Sequence, residues 1–356
     1  MKAVDRLMKQ AVTEGIFPGA VLLVSAETKV IFLRAYGLAH LYEKVPVTTD
    51  TIFDLASLTK PLATTLAVMH LVQNRHISVE DTLGKLLPDL QDGDKARIRL
   101  EHLLYHISGL PDYQPYYQRL SKIPMDLRRA ALRQFLVAEP LTQPCGEKVL
   151  YSDLGFMILA WVVEHVAARR LDHFVVDEIY QPLGLGHLVF NAHNAADLQG
   201  SFAATEHCSW RRETIVGRVH DENAFVVGGV EGHAGLFGTA GDVHRLLLEL
   251  LGTYHGQIHG GLFNQELLHH FFKRLPETDK AMGFDMPLLE GASCGRRFSL
   301  NSVGHLGFTG TSFWMDLERS AIVVLLTNRV HPTRENERIK AFRPRLHDTV
   351  IGAIEA

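Results

Sequence analysis

The amino-acid sequence predicts an α/β (α+β) fold, in which an antiparallel sheet built from both chain ends is flanked by helices and carries an inserted, mostly helical lobe. Two observations predict this class. Strand-like runs rich in β-branched and aromatic residues lie near the two ends of the 356-residue chain. Between them, apolar residues recur at helical spacing. One sheet made from both ends, with the helices inserted between them, is the simplest arrangement of that order.

The first strands are predicted at 19–26 and 29–38, because apolar and β-branched residues fill both runs and a tight turn separates them. The strands predicted near the other end are 297–301, 305–308, 312–317 and 321–327. These positions set the expected boundaries. The predicted unit covers the whole chain, 1–356, and divides into an α/β lobe of about 1–60 and 292–356 and a helical lobe of about 61–291.

Helices are predicted wherever the apolar spacing of 3–4 residues persists. Within the inserted lobe they are expected at 62–73, 100–105, 127–138, 155–168, 174–180 and 240–251. A last amphipathic helix is expected over about 336–356. Stretches rich in glycine, proline and asparagine, such as 217–238, are predicted loops.

Composition excludes several classes of function. The chain has 36 lysine and arginine residues, 40 aspartate and glutamate residues and a net charge of −4, so no nucleic-acid partner is predicted. Cys145, Cys208 and Cys294 are far apart and show no C-x-x-C pattern, which argues against a disulfide framework or a zinc site. His255 and His259 have helical ligand spacing but lie among glycines, so we expect solvated histidines and no metal.

No stretch is apolar and long enough to span a membrane. Residues 1–14 are charged and amphipathic and lack the apolar core of a signal peptide. The sequence as given therefore predicts a cytoplasmic protein with no membrane partner, and a periplasmic one if a leader was removed. The oligomeric state is left open.

The residues that point to chemistry begin with Ser57-Leu58-Thr59-Lys60. Residues three apart lie on one helix face, so the Ser57 hydroxyl and the Lys60 amine are expected to point the same way. A serine is a weak nucleophile until a neighbouring group takes its proton, and a lysine can do so when burial lowers its pKa. No other serine of the chain has a lysine at this spacing. The alternative is a helix-capping serine beside a solvated lysine.

The local sequence places Ser57 at a helix start. Apolar residues at helical spacing from Leu58 to Val72 predict a buried helix face. Pro61 lacks a backbone donor, which is tolerated only near the beginning of a helix. The free N–H groups and positive dipole end there would favour a developing oxyanion. Ser57 also falls at the junction of the predicted lobes, a preferred place for a pocket.

Two further stretches fit the same chemistry. Tyr151-Ser152-Asp153 precedes a predicted helix, and a tyrosine near a cationic lysine can have a lowered pKa and exchange protons. The alternative is that Ser152 or Asp153 only caps the helix. Residues 304–312 hold so many glycines that another backbone or a ligand is expected to approach closely. The alternative there is a bulged strand with His305 on its rim.

The chain resembles the serine β-lactamase and penicillin-binding-protein superfamily, and most closely its class C-like branch of family VIII carboxylesterases and DD-peptidases. The three family motifs fall on Ser57-Leu58-Thr59-Lys60, Tyr151-Ser152-Asp153 and His305-Leu306-Gly307. Further phrases of that branch are LLYHISGLP at 103–111, VHDENA at 219–224, GGVEGHAGLF at 228–237 and GFTGTSFWMD at 307–316. The resemblance covers nearly the whole chain and implies a β-lactamase/transpeptidase-like fold.

The resemblance implies a serine hydrolase that forms an acyl-enzyme on a small ester, peptide or β-lactam substrate. Ser57 would attack a carbonyl while Lys60 and Tyr151 take its proton and pass it to the leaving group. The backbone N–H groups of Ser57 and Phe308, which follows Gly307, would form the oxyanion hole. Water activated by Tyr151 would then release the acid. No metal or cofactor is implied.

Two departures from the family pattern bear on the substrate. Asp153 stands at the usual asparagine, and an ionised carboxylate only accepts hydrogen bonds, so Asp153 could pair with Lys60 and hold it charged. His305 and Leu306 replace the lysine and threonine that bind the carboxylate of a β-lactam, and a mostly neutral histidine should bind it less well. Esterase-like members of the branch also carry histidine there, so an ester-type substrate is favoured.

Some assignments stay open at this point. Glu231 and His233 lie in a glycine-rich loop that could line the pocket. His106 is expected to organise the loop at Ser108-Gly109. The alternatives to a hydrolase are an acyltransferase, and a penicillin-binding DD-peptidase or sensor that is acylated but turns over slowly.

Overall fold

The computed structural model describes residues 1–190, 201–288 and 290–356 of the chain. Its strands are β1 (Gly19–Ala26), β2 (Lys29–His40), β3 (Val45–Pro46), β4 (Phe53–Asp54), β5 (Val189–Phe190), β6 (His207–Cys208), β7 (Glu213–Thr214), β8 (Leu236–Gly238), β9 (Lys280–Ala281), β10 (Phe284–Asp285), β11 (Val303–Leu306), β12 (Ser312–Asp316) and β13 (Ala321–Thr327).

The α-helices are α1 (Lys2–Thr13), α2 (Leu66–Gln73), α3 (Leu83–Leu86), α4 (Leu100–Leu104), α5 (Tyr117–Leu120), α6 (Met125–Ala138), α7 (Asp153–Ala167), α8 (Leu171–Val175), α9 (Glu222–Val226), α10 (Ala240–Tyr254), α11 (Gln265–Phe271) and α12 (Ile339–Ile354). Short 3-10 helices cover Ala56–Leu58 and Pro88–Leu90. π-Helical segments at Lys60–Thr65 and Val176–Tyr180 lead into α2 and follow α8.

Within the described residues, eight strands form one antiparallel sheet in the order β3-β2-β1-β13-β12-β11-β10-β9. β1 pairs with β13 from Ala20 opposite Thr327 to Ala26 opposite Ala321, and with β2 along its other edge. Strands from the two ends of the chain therefore lie side by side, which confirms the predicted sheet. Two small sheets, β4-β8-β5 and β6-β7, lie outside it.

The alternation of side chains along β1 builds a core on each face of the sheet. Leu22 and Val24 pack in one apolar cluster with residues of the two terminal helices, α1 and α12. Val21 and Leu23 pack on the opposite face in the larger cluster, which includes α2, α7 and α10. The sheet is thus covered on both sides, and the helical region lies on the second face.

Most predicted elements are observed with boundaries shifted by a few residues, but the predicted strand at 297–301 is wrong. Those residues form turns, because Ser299 donates from both its N–H and its hydroxyl to the buried Asp316 carboxylate, at 3.0 and 2.7 Å. The strand next to β11 is instead β10. The predicted loop at 217–238 also contains α9 and β8.

The division into two lobes stays a prediction. The short strands β9 and β10 belong to the main sheet although they fall in the range predicted as the helical lobe, which also includes residues 191–200 and 289, outside the described residues. Among the helices described, none combines the length and apolar character needed to cross a membrane.

Candidate active site

Ser57 lies in a tight turn between β4 and the helical segment that begins at Lys60. Ala56, just before it, has a left-handed backbone conformation with φ of +49°, which is costly for a residue other than glycine. The buried Asp54 stabilises this turn, because its carboxylate accepts from the Ala56 N–H at 2.9 Å and from the His220 N–H at 2.6 Å. The turn therefore holds the Ser57 side chain in a defined position.

Lys60 lies on the same side of the helix as Ser57, as the spacing predicts, and its side chain is fully buried. Its Nζ donates to Ser57 Oγ at 3.2 Å, to Asp153 Oδ1 at 2.7 Å and to the His233 carbonyl at 3.4 Å. Pro61 falls in the first turn of the segment, where its missing N–H breaks no helix hydrogen bond. The structure thus brings the amine within hydrogen-bond distance of the hydroxyl.

The expectation that burial lowers the pKa of Lys60 is wrong in its net direction. Burial does disfavour the charged amine, but the charge of Asp153 and the nearby Tyr151 outweigh it and raise the pKa of Lys60 to about 12. The idea that Asp153 pairs with Lys60 and holds it charged agrees with the 2.7 Å ion pair. In the free protein at neutral pH, Lys60 is therefore an ammonium that donates to Ser57 Oγ.

Tyr151 lies beside both groups. Its ring is 4.7 Å from Lys60 Nζ and packs against the His106 ring at 4.5 Å, while His106 Nδ1 accepts from the Ser152 N–H at 3.0 Å. Burial raises the pKa of Tyr151, and the opposing effects of Lys60 and Ser57 do not reverse it. The lowered tyrosine pKa expected from the sequence is therefore wrong for the free protein. The His106 side chain thus contacts the Tyr151 ring and the Ser152 N–H, and its expected role in the loop at Ser108-Gly109 stays a prediction.

The turn between β11 and β12 is joined by hydrogen bonds to the turn that contains Ser57. Thr309 and Thr311 donate from their hydroxyls to the carbonyls of Asp54 and Leu55, at 2.7 and 3.0 Å. A Cβ on Gly307 would lie 2.6 Å from the Leu55 carbonyl oxygen, so only glycine permits this approach. The Phe308 amide follows directly, and within the described residues neither it nor the Ser57 amide donates a hydrogen bond.

His305 is buried, and burial lowers its pKa to about 4, so the imidazole is neutral at pH 7. Its Nδ1 lies 2.9 Å from the Leu306 carbonyl. Because a carbonyl oxygen only accepts, Nδ1 carries the proton and Nε2 is an acceptor. His305 in this state does not donate to a substrate carboxylate from Nε2.

Two clefts meet at Ser57, and Tyr151 and Phe308 line both of them. The first, of about 360 Å³, is called here the acidic cleft and is lined by Tyr113, Asp153, Asp221, Glu222, His233 and Arg334, among others. The second, of about 390 Å³, is called the basic cleft and is lined by Lys280, His305, Arg329, Lys340 and Arg343, among others. Ser57 thus lies where a cleft with three acidic side chains and one arginine meets a cleft with four basic side chains and two acidic ones, Asp285 and Glu337.

Of the two candidate residues in the glycine-rich loop, His233 lines one of the clefts and Glu231 lies outside both. His233 lines the acidic cleft and its Nε2 lies 3.0 Å from Asp221 Oδ1. Glu231 instead lies beside Arg129 in the wall of another, smaller cavity. Sequence reasoning missed Asp54, Asp221 and Arg343. Asp221 lies within the quoted stretch 219–224 and could have been noticed there, and Asp54 lies three residues before Ser57, but nothing near Arg343 in the sequence marks it.

The ion pair of Lys60 and Asp153 has a consequence for the pH dependence of activity. Because Asp153 raises the pKa of Lys60, Asp153→Asn lowers it, and the free amine becomes available at lower pH. We expect the rise of kcat/KM with pH to move to lower pH in Asp153→Asn. The measurement is a pH profile on an activated ester, with Asp126→Asn, an exposed aspartate on α6, as the control. Superimposable profiles would show that Lys60 does not act as the base.

The chain was compared with protein-family models and with known proteins. A family model described as Beta-lactamase matches residues 4–344. A protein of Salmonella agona (strain SL483) named "Putative D-alanyl-D-alanine carboxypeptidase" is 32% identical, with the alignment covering 91% of this chain and 81% of that protein.

Two solved structures share the fold. EstCE1, titled a hydrolase with promiscuous acyltransferase activity, has a TM-score of 0.73 at 23% identity over 96% of this chain and 98% of its own. The octameric penicillin-binding protein homologue from Pyrococcus abyssi has a TM-score of 0.75 at 18% identity over 99% of this chain and 77% of its own.

Proposed function

The chain belongs to the beta-lactamase family and is a serine hydrolase of that type, and we propose that it forms its acyl-enzyme at Ser57 on small ester or amide substrates. The arrangement of polar groups around Ser57 supports this most strongly. Lys60 Nζ is buried 3.2 Å from Ser57 Oγ, and the amides of Ser57 and Phe308 have no acceptor within the described residues. The Ser57 hydroxyl therefore has a proton-exchanging amine within hydrogen-bond distance, and the two residues whose amides could act as oxyanion donors line the same two clefts.

The proposed reaction has two halves. Ser57 Oγ attacks the substrate carbonyl carbon, and the oxyanion formed accepts from the two free amides. The Ser57 proton passes through the Lys60 and Tyr151 pair to the leaving group as the scissile bond breaks. Since both groups are protonated in the free protein at neutral pH, one of them must first lose a proton, and the rate rises with pH. Water then attacks the ester of Ser57 and releases the acid.

The basic cleft suggests which end of the substrate it receives. Arg343 is 5% exposed, donates from Nη2 to the Thr311 carbonyl at 2.9 Å and has no carboxylate partner among the described residues. Its Nε has no hydrogen-bond partner there either. Burial and the neighbouring Arg329 lower the pKa of Arg343 to about 9. A buried guanidinium without a counterion favours an anionic ligand, so a leaving group with a free carboxylate fits this cleft.

This supports a carboxypeptidase-like activity on short peptides with a free C-terminal carboxylate, in line with the name of the Salmonella relative. The sequence-based preference for ester substrates assumed that nothing replaces the missing lysine, and Arg343 supplies such a charge. An ester hydrolase or acyltransferase remains the second candidate. The observation that favours it is the neutral His305, which stands at the family's lysine position.

Substitution of Arg343 distinguishes the carboxypeptidase-like activity from the ester hydrolase or acyltransferase. For a peptide ending in D-Ala-D-Ala, we expect kcat/KM to exceed that of its C-terminal amide, and Arg343→Gln to lower the value for the free acid by roughly 10- to 100-fold. The amide should change far less, because it carries no charge. The measurement is steady-state release of D-alanine and D-alaninamide.

The control is Arg345→Gln, which removes an exposed charge two residues further along α12. Thermal unfolding of both variants checks that the buried substitution leaves the fold intact. Equal rates for acid and amide in the wild type, together with fast hydrolysis of p-nitrophenyl butyrate, would favour the ester hydrolase. Transfer of the acyl group to an added alcohol in place of water would favour the acyltransferase.

A further inference from the structure

Phe308 is fixed by its neighbours at both its main chain and its side chain, although the residue is 47% exposed. Arg329 Nε donates to the Phe308 carbonyl at 2.9 Å, and the Arg329 guanidinium carbon lies 4.7 Å from the centre of the Phe308 ring. The His220 ring stacks on the Phe308 ring, with the two ring centres 5.6 Å apart and the planes at 25°. A charged side chain and a second ring thus restrict the movement of this residue.

The guanidinium of Arg329 is used to hold main-chain carbonyls. Arg329 lies two residues after β13 and is 6% exposed. Besides the bond from Nε to Phe308, its Nη1 donates to the carbonyls of Arg334 and Asn336, at 2.8 and 2.9 Å. Hydrogen bonds from a charged donor are stronger than those between neutral groups. Arg329 therefore joins the turn that contains Phe308 firmly to the segment before α12.

The peptide plane before Phe308 is fixed as well. The Gly310 N–H donates to the Gly307 carbonyl at 3.0 Å, and the Gly307 N–H donates to the Thr311 carbonyl at 2.8 Å. In a planar trans peptide, the Gly307 carbonyl and the Phe308 N–H point in opposite directions. A hydrogen bond to that carbonyl therefore sets the direction of the Phe308 N–H, while Arg329 fixes the next peptide plane through the Phe308 carbonyl.

His220 connects Phe308 to the turn that contains Ser57. The His220 N–H donates at 2.6 Å to the Asp54 carboxylate, which also stabilises that turn. At the far end of the imidazole, His220 Nε2 lies 3.1 Å from a carboxylate oxygen of Glu206. The ring that stacks on Phe308 is thus held at both ends. Asp54 connects the surroundings of both amides that are proposed to donate to the oxyanion.

We propose that Arg329 is a positioning residue for the oxyanion hole. By holding the carbonyl and the ring of Phe308, with His220 packed on the same ring, it directs the Phe308 amide toward the carbonyl oxygen of a substrate bound at Ser57. The inference rests on the proposed acyl-enzyme function and adds a residue that acts through Phe308 without touching the reacting atoms. An oxyanion donor is effective only at short distance from the developing charge, so a small displacement of Phe308 lowers the rate.

The test compares p-nitrophenyl butyrate with its thionoester, in which sulfur replaces the carbonyl oxygen. Sulfur is a weak hydrogen-bond acceptor, so the thionoester gains little from the two amides. Neither substrate has a carboxylate, so the charge of the basic cleft does not favour one of them. The quantity measured is the ratio of kcat/KM for ester over thionoester, divided by the ratio of their rates of alkaline hydrolysis.

We expect this corrected ratio to exceed about 100 in the wild type and to fall by roughly 10- to 100-fold in Arg329→Met, the effect of a displaced donor. Arg329→Lys keeps a charged donor and should lose less. The matched control is Arg345→Met, which removes an exposed arginine of α12 and should keep the wild-type ratio.

A second variant, Phe308→Leu, changes an exposed side chain and is expected to fold even if Arg329→Met does not. It keeps the main chain but removes both ring contacts, so the corrected ratio should fall by roughly 3- to 10-fold. Thermal unfolding identifies the variants that fold. A wild-type ratio in every folded variant overturns the inference, even where both substrates react more slowly, because a purely structural role affects them equally. A ratio near 1 in the wild type itself would instead contradict the oxyanion hole of the proposed function, and the inference with it.

Discussion

Replacing Ser57 with alanine is expected to lower kcat on p-nitrophenyl butyrate by roughly 10⁴-fold or more, because removing the nucleophile of an acyl-enzyme mechanism leaves only binding and oxyanion stabilisation. The Ser57 side chain lies at the surface of both clefts and accepts from Lys60, so its removal leaves the surrounding hydrogen bonds of Asp54 and Ala56 in place. The measurement is initial rates at saturating substrate, with circular dichroism to show an unchanged fold.

The control for this variant is Ser121→Ala, which removes an exposed hydroxyl far from the turn that presents Ser57. That protein should hydrolyse the ester at the wild-type rate. A Ser57→Ala protein that keeps more than about a tenth of the wild-type kcat would mean that another residue, or a water molecule, attacks the substrate.

Tyr151→Phe is expected to lower kcat by roughly 10²-fold or more, since in the proposed reaction the phenol passes protons between Ser57, Lys60 and the leaving group. The ring itself stays, so its contacts with the Lys60 ammonium and with His106 are kept and the loss isolates the hydroxyl. The loss should be greater for a poor leaving group such as an amide than for p-nitrophenolate, which needs no proton on departure.

The matched control is Tyr42→Phe, which removes the hydroxyl of a tyrosine that is 63% exposed. A kcat close to that of the wild type on both amide and ester substrates would reduce Tyr151 to a structural role. The proton would then travel through Lys60 alone.

The proximity of the candidate residues could be predicted from the sequence because it is local or follows from the family motifs. Ser57, in the 3-10 turn Ala56–Leu58, and Lys60, at the start of the following π-helical segment, are three residues apart in consecutive helical turns, so local helical geometry brings them together. Tyr151 and residues 305–307 are remote in sequence, and their place in the site followed from the family resemblance. The sheet that joins β1 to β13 was likewise readable from strand-like runs at both ends.

What could not be predicted depends on the charges that three-dimensional packing brings together. Burial alone predicted a lowered pKa for Lys60, whereas the Asp153 carboxylate, 2.7 Å away, reverses the direction. Arg343 reaches the site from α12, and its role depends on the absence of a carboxylate partner among the described residues. Asp221 caps α9, a helix that the sequence did not predict, so its approach to Asp153 could not be anticipated.

The central claim, that Ser57 carries the acyl group, is tested most directly by covalent trapping. The protein is incubated with a fluorophosphonate probe, and the adduct is located by intact mass and peptide mapping. We predict one adduct per chain, on the peptide that contains Ser57, with labelling lost in Ser57→Ala and kept in Ser121→Ala. An adduct on a different residue, or undiminished labelling of Ser57→Ala, would contradict the assignment of Ser57 as the nucleophile.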